Sequence, residues 1–293
     1  MNSTSRPFSR VARDVLGVFK LRIGFMIMIT ALVGMVTTPG PTLGLSKIVV
    51  LALAILVASA SAGAFNQYYE YDQDHLMART RGRAFVTGAL PHTPAWLVLI
   101  AVLLTLAVWA AAHWLNPSAA MFVFLGAFFY AVVYTVWLKR RSWLNIVIGG
   151  LAGSFAVLAG AAAVDPVLGP LPCLLAAVLF LWTPPHFWSL AIANQAEYQA
   201  AGVPMLPVVV GVPRASRIVL ASTLALALTA LLPVFFGAGA IYFVGAASGS
   251  GYFVYKAWLL ARSPSRATAM GSFFASLIQL CLLLVATTLD RLL

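Results

Sequence analysis

Apolar residues run through this chain in long blocks separated by short polar or basic breaks. The blocks fall at about 22–38, 46–65, 93–113, 119–138, 144–164, 171–193, 215–235, 238–260 and 268–289. Each has the roughly 17–25 residues that a helix needs to cross the hydrocarbon core of a bilayer. The breaks carry turn residues, as in Thr38-Pro39-Gly40-Pro41 and Asn116-Pro117-Ser118. The pattern predicts an all-α, polytopic membrane helix bundle of about nine transmembrane helices. No stretch is polar enough for a soluble domain. We therefore expect residues 1–293 to form a single integral-membrane domain, with 1–17 as a cytoplasmic tail. The tail lacks the apolar segment and cleavage site of a signal peptide.

Composition agrees with the pattern. Hydrophobic residues make up 62% of the chain and charged residues only 9%, against roughly 25% charged in soluble domains. The net charge of +11 is not spread as a nucleic-acid-binding surface would be, and no nucleic-acid partner is expected. It collects in alternate loops: Arg6, Arg10, Arg13, Lys20 and Arg22 at the start, then Arg79, Arg81 and Arg83, then Lys139, Arg140 and Arg141. With nine spans, sixteen of the eighteen basic residues fall on the side of the N-terminus, leaving only Lys47 and Arg291 opposite. Basic loops stay in the cytoplasm. The expected location is thus a cell inner membrane, with the N-terminus and the long loops 66–92 and 194–214 cytoplasmic. Cys173 and Cys281 sit in apolar runs far apart and read as buried, inert thiols.

A chain this poor in charge concentrates three of its seven acidic residues between Asn66 and Arg83. Asn66, Glu70 and Asp74 are four residues apart, which places them on one face if the second helix continues. Three oxygen donors on one face at the membrane boundary suit a hard divalent cation such as Mg²⁺, which keeps waters and bridges to substrate phosphates. Arg79 and Arg83 follow, also four apart. Guanidinium groups beside a carboxylate-held cation bind and activate a diphosphate. Asp72 points elsewhere on the helix and is at most a supporting partner.

This segment, N-x-x-x-E-x-D-x-D-x-x-M-x-R-T-R-x-R, resembles the first Asp-rich motif of the UbiA superfamily of intramembrane prenyltransferases. A second segment, W-T-P-P-H-F-W from Trp182 followed by E-Y-Q-A-A-G-V-P-M-L-P-V-V from Glu197, resembles the haem-farnesylating branch of that superfamily. The resemblance covers nearly the whole chain. It implies a nine-helix bundle with cytoplasmic Asp-rich loops and a Mg²⁺-dependent transfer of farnesyl from farnesyl diphosphate to a vinyl group of haem b. Haem b is then a substrate, not a cofactor, and a downstream haem a synthase is a candidate partner.

Within the second segment, Pro184 and Pro185 are expected to break the sixth helix. His186, with Trp182 and Trp188 around it, is then a candidate haem contact, as axial ligand or propionate partner. A hydrogen-bonded core histidine is the alternative at that position. Glu197 is expected to complete the metal site from across the bundle, supported by Tyr198. Tyr134, Lys139 and Arg140 resemble the family's segment at the end of helix 4, where the two basic residues reach the diphosphate or anchor topology. Lys20 and Arg22 open helix 1 and are candidates for haem propionates or diphosphate, with snorkelling anchors as the alternative.

The chain departs from the family at Gln195-Ala196, where Lys-Asp is usual, at Ala84 where Pro is usual, and at Ala156-Val157, where a Pro pair is usual, with Ala161 in place of Trp. Two further readings stay open: a prenyltransferase of this fold with another acceptor, and a haem-handling membrane protein without catalysis.

Overall fold

The structure, a computed structural model, describes residues 8–293, and among them helices are the only regular element. The chain opens with α1 (Phe8–Val18) and α2 (Leu21–Val36), which meet at a bend of 49°. The expected tail is therefore helical over its described part, and residues 1–7, with Arg6, lie outside the described residues. Apolar Val15 and Val18 of α1 pack down onto the first loop while Arg10 and Arg13 face out, the arrangement of a helix lying along a membrane surface.

Next come α3 (Leu45–Tyr69), the single turn α4 (Tyr71–Asp74), α5 (Ala95–Trp114) and α6 (Pro117–Phe128). Asn116 starts α6 by accepting from the Ala119 amide at 2.8 Å, with Pro117 in the first turn. α6 does not end where its α geometry does; it continues as a π-helix over Phe129–Leu138. The fifth block is split into α7 (Asn145–Gly149) and α8 (Leu151–Val164). α9 (Pro170–Ala193), α10 (Gln195–Ala200) and α11 (Leu206–Val210) follow, then α12 (Val212–Leu231), extended by a 3₁₀ segment to Phe236. The chain closes with α13 (Ala240–Arg262) and α14 (Arg266–Leu292).

Seven of these helices are long and apolar enough to cross a membrane, or eight if α1 and α2 count as one bent span. The expected block left over from this set, 238–260, is α13. Its Gly245, Ser248, Gly249, Ser250 and Lys256 make it less apolar, and it is packed between α12 and α14. Outward-facing positions elsewhere are large and apolar, for example Val98, Leu228 and Phe235, which is how a lipid-facing surface differs from a water-facing one. Cys173 and Cys281 belong to that outer surface and are exposed, not buried as expected. An apolar run in a membrane bundle has a lipid face as well as a core face, and sequence does not say which a cysteine takes.

Two helix pairs cross closely at glycine, the first of them backbone on backbone. A Cβ on Gly160 would lie 1.8 Å from the Ala31 carbonyl oxygen, and one on Gly34 would lie 2.2 Å from that of Val157. Small residues thus hold α2 against α8. On the other side, a Cβ on Gly245 would lie 2.3 Å from that of Ala286, joining α13 to α14. Asp290 near the end of α14 then receives the amides of Gly239 and Tyr242 at 2.7 and 3.2 Å, capping the start of α13.

Pro184 and Pro185 do not break α9, which runs through both to Ala193. The hydroxyls of Thr183 and Ser189 bond back to the carbonyls of Leu179 and Pro185, at 3.0 and 2.7 Å. Close packing on the neighbouring helices carries α9 past the two missing amide donors.

Candidate active site

Asn66, Glu70 and Asp74 do share one inward face. They are 2, 3 and 4% exposed, while Asp72 between them is exposed to the outside. The backbone holds this phase across the end of α3, because the amides of Glu70 and Asp74 still bond to the carbonyls four residues back. Each of the three oxygen-bearing side chains has a basic partner. Lys20 Nζ donates to Asn66 Oδ1 at 2.6 Å. Lys139 Nζ donates to Glu70 Oε1. Arg83 Nη1 donates to Asp74 Oδ2 at 2.5 Å and lies 3.9 Å from Glu70 Oε2, so it bridges the two carboxylates.

Lys20 reaches this place by an unusual backbone. It occupies the break between α1 and α2 with φ 49° and ψ 41°, the left-handed region that costs an L-residue about 1–2 kcal/mol. Gln67 supports the break by donating to the carbonyls of Gly17 and Val18 at 2.9 and 3.1 Å. Lys20 is therefore drawn inward to Asn66 and to the Tyr130 hydroxyl, 3.4 Å away, instead of snorkelling outward. Arg22, two residues on, is exposed on the first turn of α2 and does not join the cluster.

The π-helix supplies the opposite wall. Asn66 Nδ2 donates to Thr135 Oγ1 at 3.1 Å, and the rings of Tyr130 and Tyr134 stack 5.6 Å apart, with Lys20 over the first and Lys139 over the second at 5.8 Å each. An α-helix advances 100° per residue, which would put Lys139 about half a turn from Tyr130. A π-helix, bonded i to i+5 with roughly 4.4 residues per turn, brings Tyr130, Tyr134, Thr135 and Lys139 onto one side. Tyr130 and Thr135 were missed by sequence reasoning, since nothing in the residue types of 129–138 marks a change of helical pitch. Arg140, expected beside Lys139, turns outward and lies over the Tyr69 ring.

Burial shapes the titration of the groups outside the spans. It raises the Asp74 carboxyl above its usual range, with Arg83 pulling the other way. It lowers the Lys139 ammonium, against the pull of Glu70. It raises the phenol of Tyr198 on α10, opposed by Arg79, whose guanidinium reaches across from the first loop to that hydroxyl. The two loops are thus joined through Arg79 and Tyr198. Glu197 is not brought to Glu70 and Asp74; among the described residues no three His, Cys, Asp or Glu side chains gather as a metal cluster. Successive residues on a helix diverge by about 100°, and α10 turns Tyr198 inward in place of Glu197. Gln195 donates to the Pro207 carbonyl at 3.1 Å and fastens α10 to α11.

An aromatic stack secures the first loop. His92 lies between Tyr68 and Tyr71, at 4.1 and 4.4 Å between ring centres, and its Nε2 meets the Tyr68 carbonyl at 2.9 Å. Phe85 and Trp96 close the stack edge-on. The return of the loop to α5 is thereby fixed under the end of α3, where the carboxylates begin.

The second expected constellation is arranged differently from its sequence reading. His186 is sandwiched by Trp182 at 4.1 Å and Phe273 of α14 at 4.6 Å, with Phe187 edge-on at 4.8 Å. Its Nδ1 is 2.6 Å from Ser276 Oγ, which in turn donates to the Phe273 carbonyl. Trp182 also binds α14, through the Ser276 carbonyl at 2.9 Å. Trp188 takes no part: it is 200° around the helix from His186 by α geometry and packs toward Trp143, at 6.1 Å.

A groove leads away from the Lys20–Asn66 end of the cluster into the bundle. Lys20 and Tyr130 stand at its mouth, Ala62, Gly63 and Gly126 line its neck, and Ile55 and Phe122 lie at its far end. A buried oxygen-donor site clamped by basic groups at the head of an apolar groove belongs to an enzyme that handles an amphiphile with a polyanionic head.

Comparison with known proteins agrees. Residues 27–278 match the UbiA prenyltransferase family, and the chain belongs to that family of multi-pass membrane enzymes. It is 54% identical to protoheme IX farnesyltransferase 2 of Paramagnetospirillum magneticum, over 94% of this chain and 96% of that protein. It is 37% identical to the protoheme IX farnesyltransferase of Granulibacter bethesdensis, over 99% and 94%. Among solved structures it resembles a digeranylgeranylglyceryl phosphate synthase, with a TM-score of 0.80 at 17% identity over 96% of this chain and 98% of that one. It also resembles a UbiA homologue from Archaeoglobus fulgidus bound to GPP and Mg²⁺, with a TM-score of 0.69 at 16% identity over 94% and 99%.

Proposed function

We propose that the chain transfers a farnesyl group from farnesyl diphosphate to a vinyl carbon of haem b. The observation that carries this reading is the cluster of Asn66, Glu70 and Asp74 under Lys20, Arg83 and Lys139 at the head of an apolar groove, in a chain 54% identical to a protoheme IX farnesyltransferase. The donor set fits a hydrated Mg²⁺: all oxygen, two carboxylates and one amide, buried on a common face. Asn66, Glu70 and Asp74 would hold it, and it would supply charge neutralisation for the departing diphosphate.

The chain's own residues do the rest. Arg83 and Lys139 are already beside the carboxylates and turn their donors to the diphosphate oxygens, with Arg79 at the rim held by Tyr198. Tyr130 and Tyr134 line the side where the allylic carbon sits and keep water from it. The bond between farnesyl C1 and the diphosphate oxygen breaks, and a carbon–carbon bond forms to the vinyl group. Water then adds to the resulting cation with loss of a proton, giving a hydroxyethyl farnesyl side chain. No covalent enzyme intermediate is required.

For haem, the hydrogen bonds around His186 favour one tautomer. Ser276 gives its proton to the Phe273 carbonyl, so it receives one from Nδ1, and the lone pair rests on Nε2. That is the form able to contact haem iron, and Trp182 with Phe273 holds the ring in place. The charged loops lie in the cytoplasm on this reading, the membrane is a cell inner membrane, residues 1–293 act as one domain, and the product passes to a haem a synthase.

The test uses membranes carrying this protein, supplied with haem b, farnesyl diphosphate and Mg²⁺, with pigments weighed by mass spectrometry. A haem heavier by one farnesyl group plus water, absent with EDTA, is the expected result. No such haem, where a known haem farnesyltransferase works in the same membranes, would overturn the acceptor assignment.

A further inference from the structure

Trp188 stands outside the ring sandwich at His186, and its indole N–H is buried with no hydrogen-bond partner. A donor buried in this way loses its water without replacement, which is unfavourable. The helix that faces it has the matching deficit. Asn145, the first residue of α7, is 0% exposed, and its Oδ1 has no partner either. Ile146, the next residue, packs in one cluster with Trp188. Trp143, two residues before Asn145, brings its ring to 6.1 Å from the Trp188 ring. The chain on both sides of Asn145 therefore lies against Trp188, with a spare acceptor on one helix and a spare donor on the other.

The other end of the Asn145 amide is firmly held. Nδ2 donates to the Ser142 carbonyl at 2.7 Å and to the Lys139 carbonyl at 3.4 Å. Both acceptors are carbonyl oxygens, so the NH₂ group faces them and Oδ1 faces away. What Asn145 grips is the turn that ends the π-helix. In that turn the amides of Arg141 and Ser142 bond to the Leu138 carbonyl at 2.9 and 3.0 Å, and the Leu144 amide bonds to Ser142 Oγ at 3.1 Å. Among the described residues, Asn145 is the only one whose side chain bonds to the backbone of Lys139. At the other end of α7 a Cβ on Gly149 would lie 2.9 Å from the Tyr134 ring, so α7 is pressed along the same π-helix.

We propose that Asn145 is the positioning residue for Lys139, and that one buried water joins Asn145 Oδ1 to the Trp188 N–H and ties this grip to α9. Trp188 donates to the water oxygen and the water donates to Oδ1, which gives it the two polar partners that a buried water requires at the least. The tie fixes where the Lys139 backbone stands, and so where Nζ can reach. Asn145 itself touches neither diphosphate nor haem. The proposal rests on the diphosphate-binding reading of Lys139 above; it adds a residue that acts through Lys139 and gives Trp188 a task of its own.

The first test reads binding of inorganic pyrophosphate with Mg²⁺ to the solubilised protein by calorimetry. Asn145→Ala should weaken it about fivefold to tenfold, the scale of one or two net hydrogen bonds. Lys139→Met should weaken it at least as much, and the double variant no further than Lys139→Met alone, because residues that act as one unit are not additive. Haem binding, read from the Soret band, should be unchanged in Asn145→Ala. Additive losses, or equal losses of pyrophosphate and haem binding, would overturn the positioning role. A wild type that binds no pyrophosphate would instead overturn the diphosphate reading of Lys139.

The water is tested on the unaltered chain, so the result does not depend on any variant's folding or on turnover. In protein labelled with ¹⁵N-tryptophan, the indole resonance that disappears in Trp188→Phe belongs to Trp188. It should show a cross-peak to a long-lived water. A visible Trp188 resonance without that cross-peak would remove the tie to α9.

Discussion

Lys139 closes on Glu70 across sixty-nine residues of chain only because the helix that carries it changes pitch at Phe129. Its amide bonds to the Tyr134 carbonyl five residues back, the mark of π geometry. Deleting Val132, which is exposed on that helix, should let it revert to α pitch and swing Lys139 away. Prenyl transfer is expected to fall by at least about a hundredfold, with helix content by circular dichroism unchanged. Retained activity would show that the pitch change does not position Lys139.

Removing one partner of a buried ion pair leaves the other uncompensated, at about 3–5 kcal/mol. Lys139→Met should therefore destabilise the protein as well as inactivate it. Glu70→Gln with Lys139→Met should recover part of that loss of thermal stability without recovering activity. A double-mutant cycle on melting temperature measures the coupling; additive losses would mean that the two side chains do not pair in the membrane.

Ser276→Ala removes the acceptor of the His186 Nδ1 proton. Haem added to the variant should bind several-fold more weakly, with a shifted Soret band, while the affinity for farnesyl diphosphate is unchanged. An identical haem titration in both proteins would leave His186 as packing only.

Gly160→Ala would press a methyl group into the Ala31 carbonyl, where no side chain can give way. Forced overpacking of this kind costs about 1–3 kcal/mol or more, so the yield of folded protein and its melting temperature should drop. Gly153→Ala, with nothing within 4 Å of the added carbon, is the matched control and should melt like wild type.

Asp290→Asn keeps the shape of the cap on α13 but removes its charge; Asp290→Ala removes both. Losing a cap costs about 1 kcal/mol. The alanine variant should melt a few degrees lower and the asparagine variant less so, with prenyl transfer intact in both, since Asp290 lies at the opposite end of the bundle from the ion cluster.

What sequence disclosed follows from what repeats along it. Asn66, Glu70 and Asp74 were readable because spacing by four is a property of any α-helix, and the apolar blocks because lipid tolerates little charge. Lys20 and Thr135 escaped as partners of Asn66, and Tyr130 as a partner of Lys20, because they reach the site through a left-handed residue and a π-helix, and neither leaves a compositional trace. The Pro184-Pro185 pair misled in the opposite direction: a local rule said break, and the neighbouring helices overrode it. Trp188 and Glu197 sat next to the right residues in sequence, but a helix sends near neighbours in different directions.

The contact of Gly34 and Gly160 at the crossing of α2 and α8 also decides where the bundle has room. The two helices touch backbone to backbone there and part toward Lys20 and Ala152, where the groove begins. They behave as the blades of a pair of shears pinned near the tip. The pin, not the lining, sets how far the blades stand apart. Side chains along the cleft can then change in size and alter what fits, while the opening itself survives.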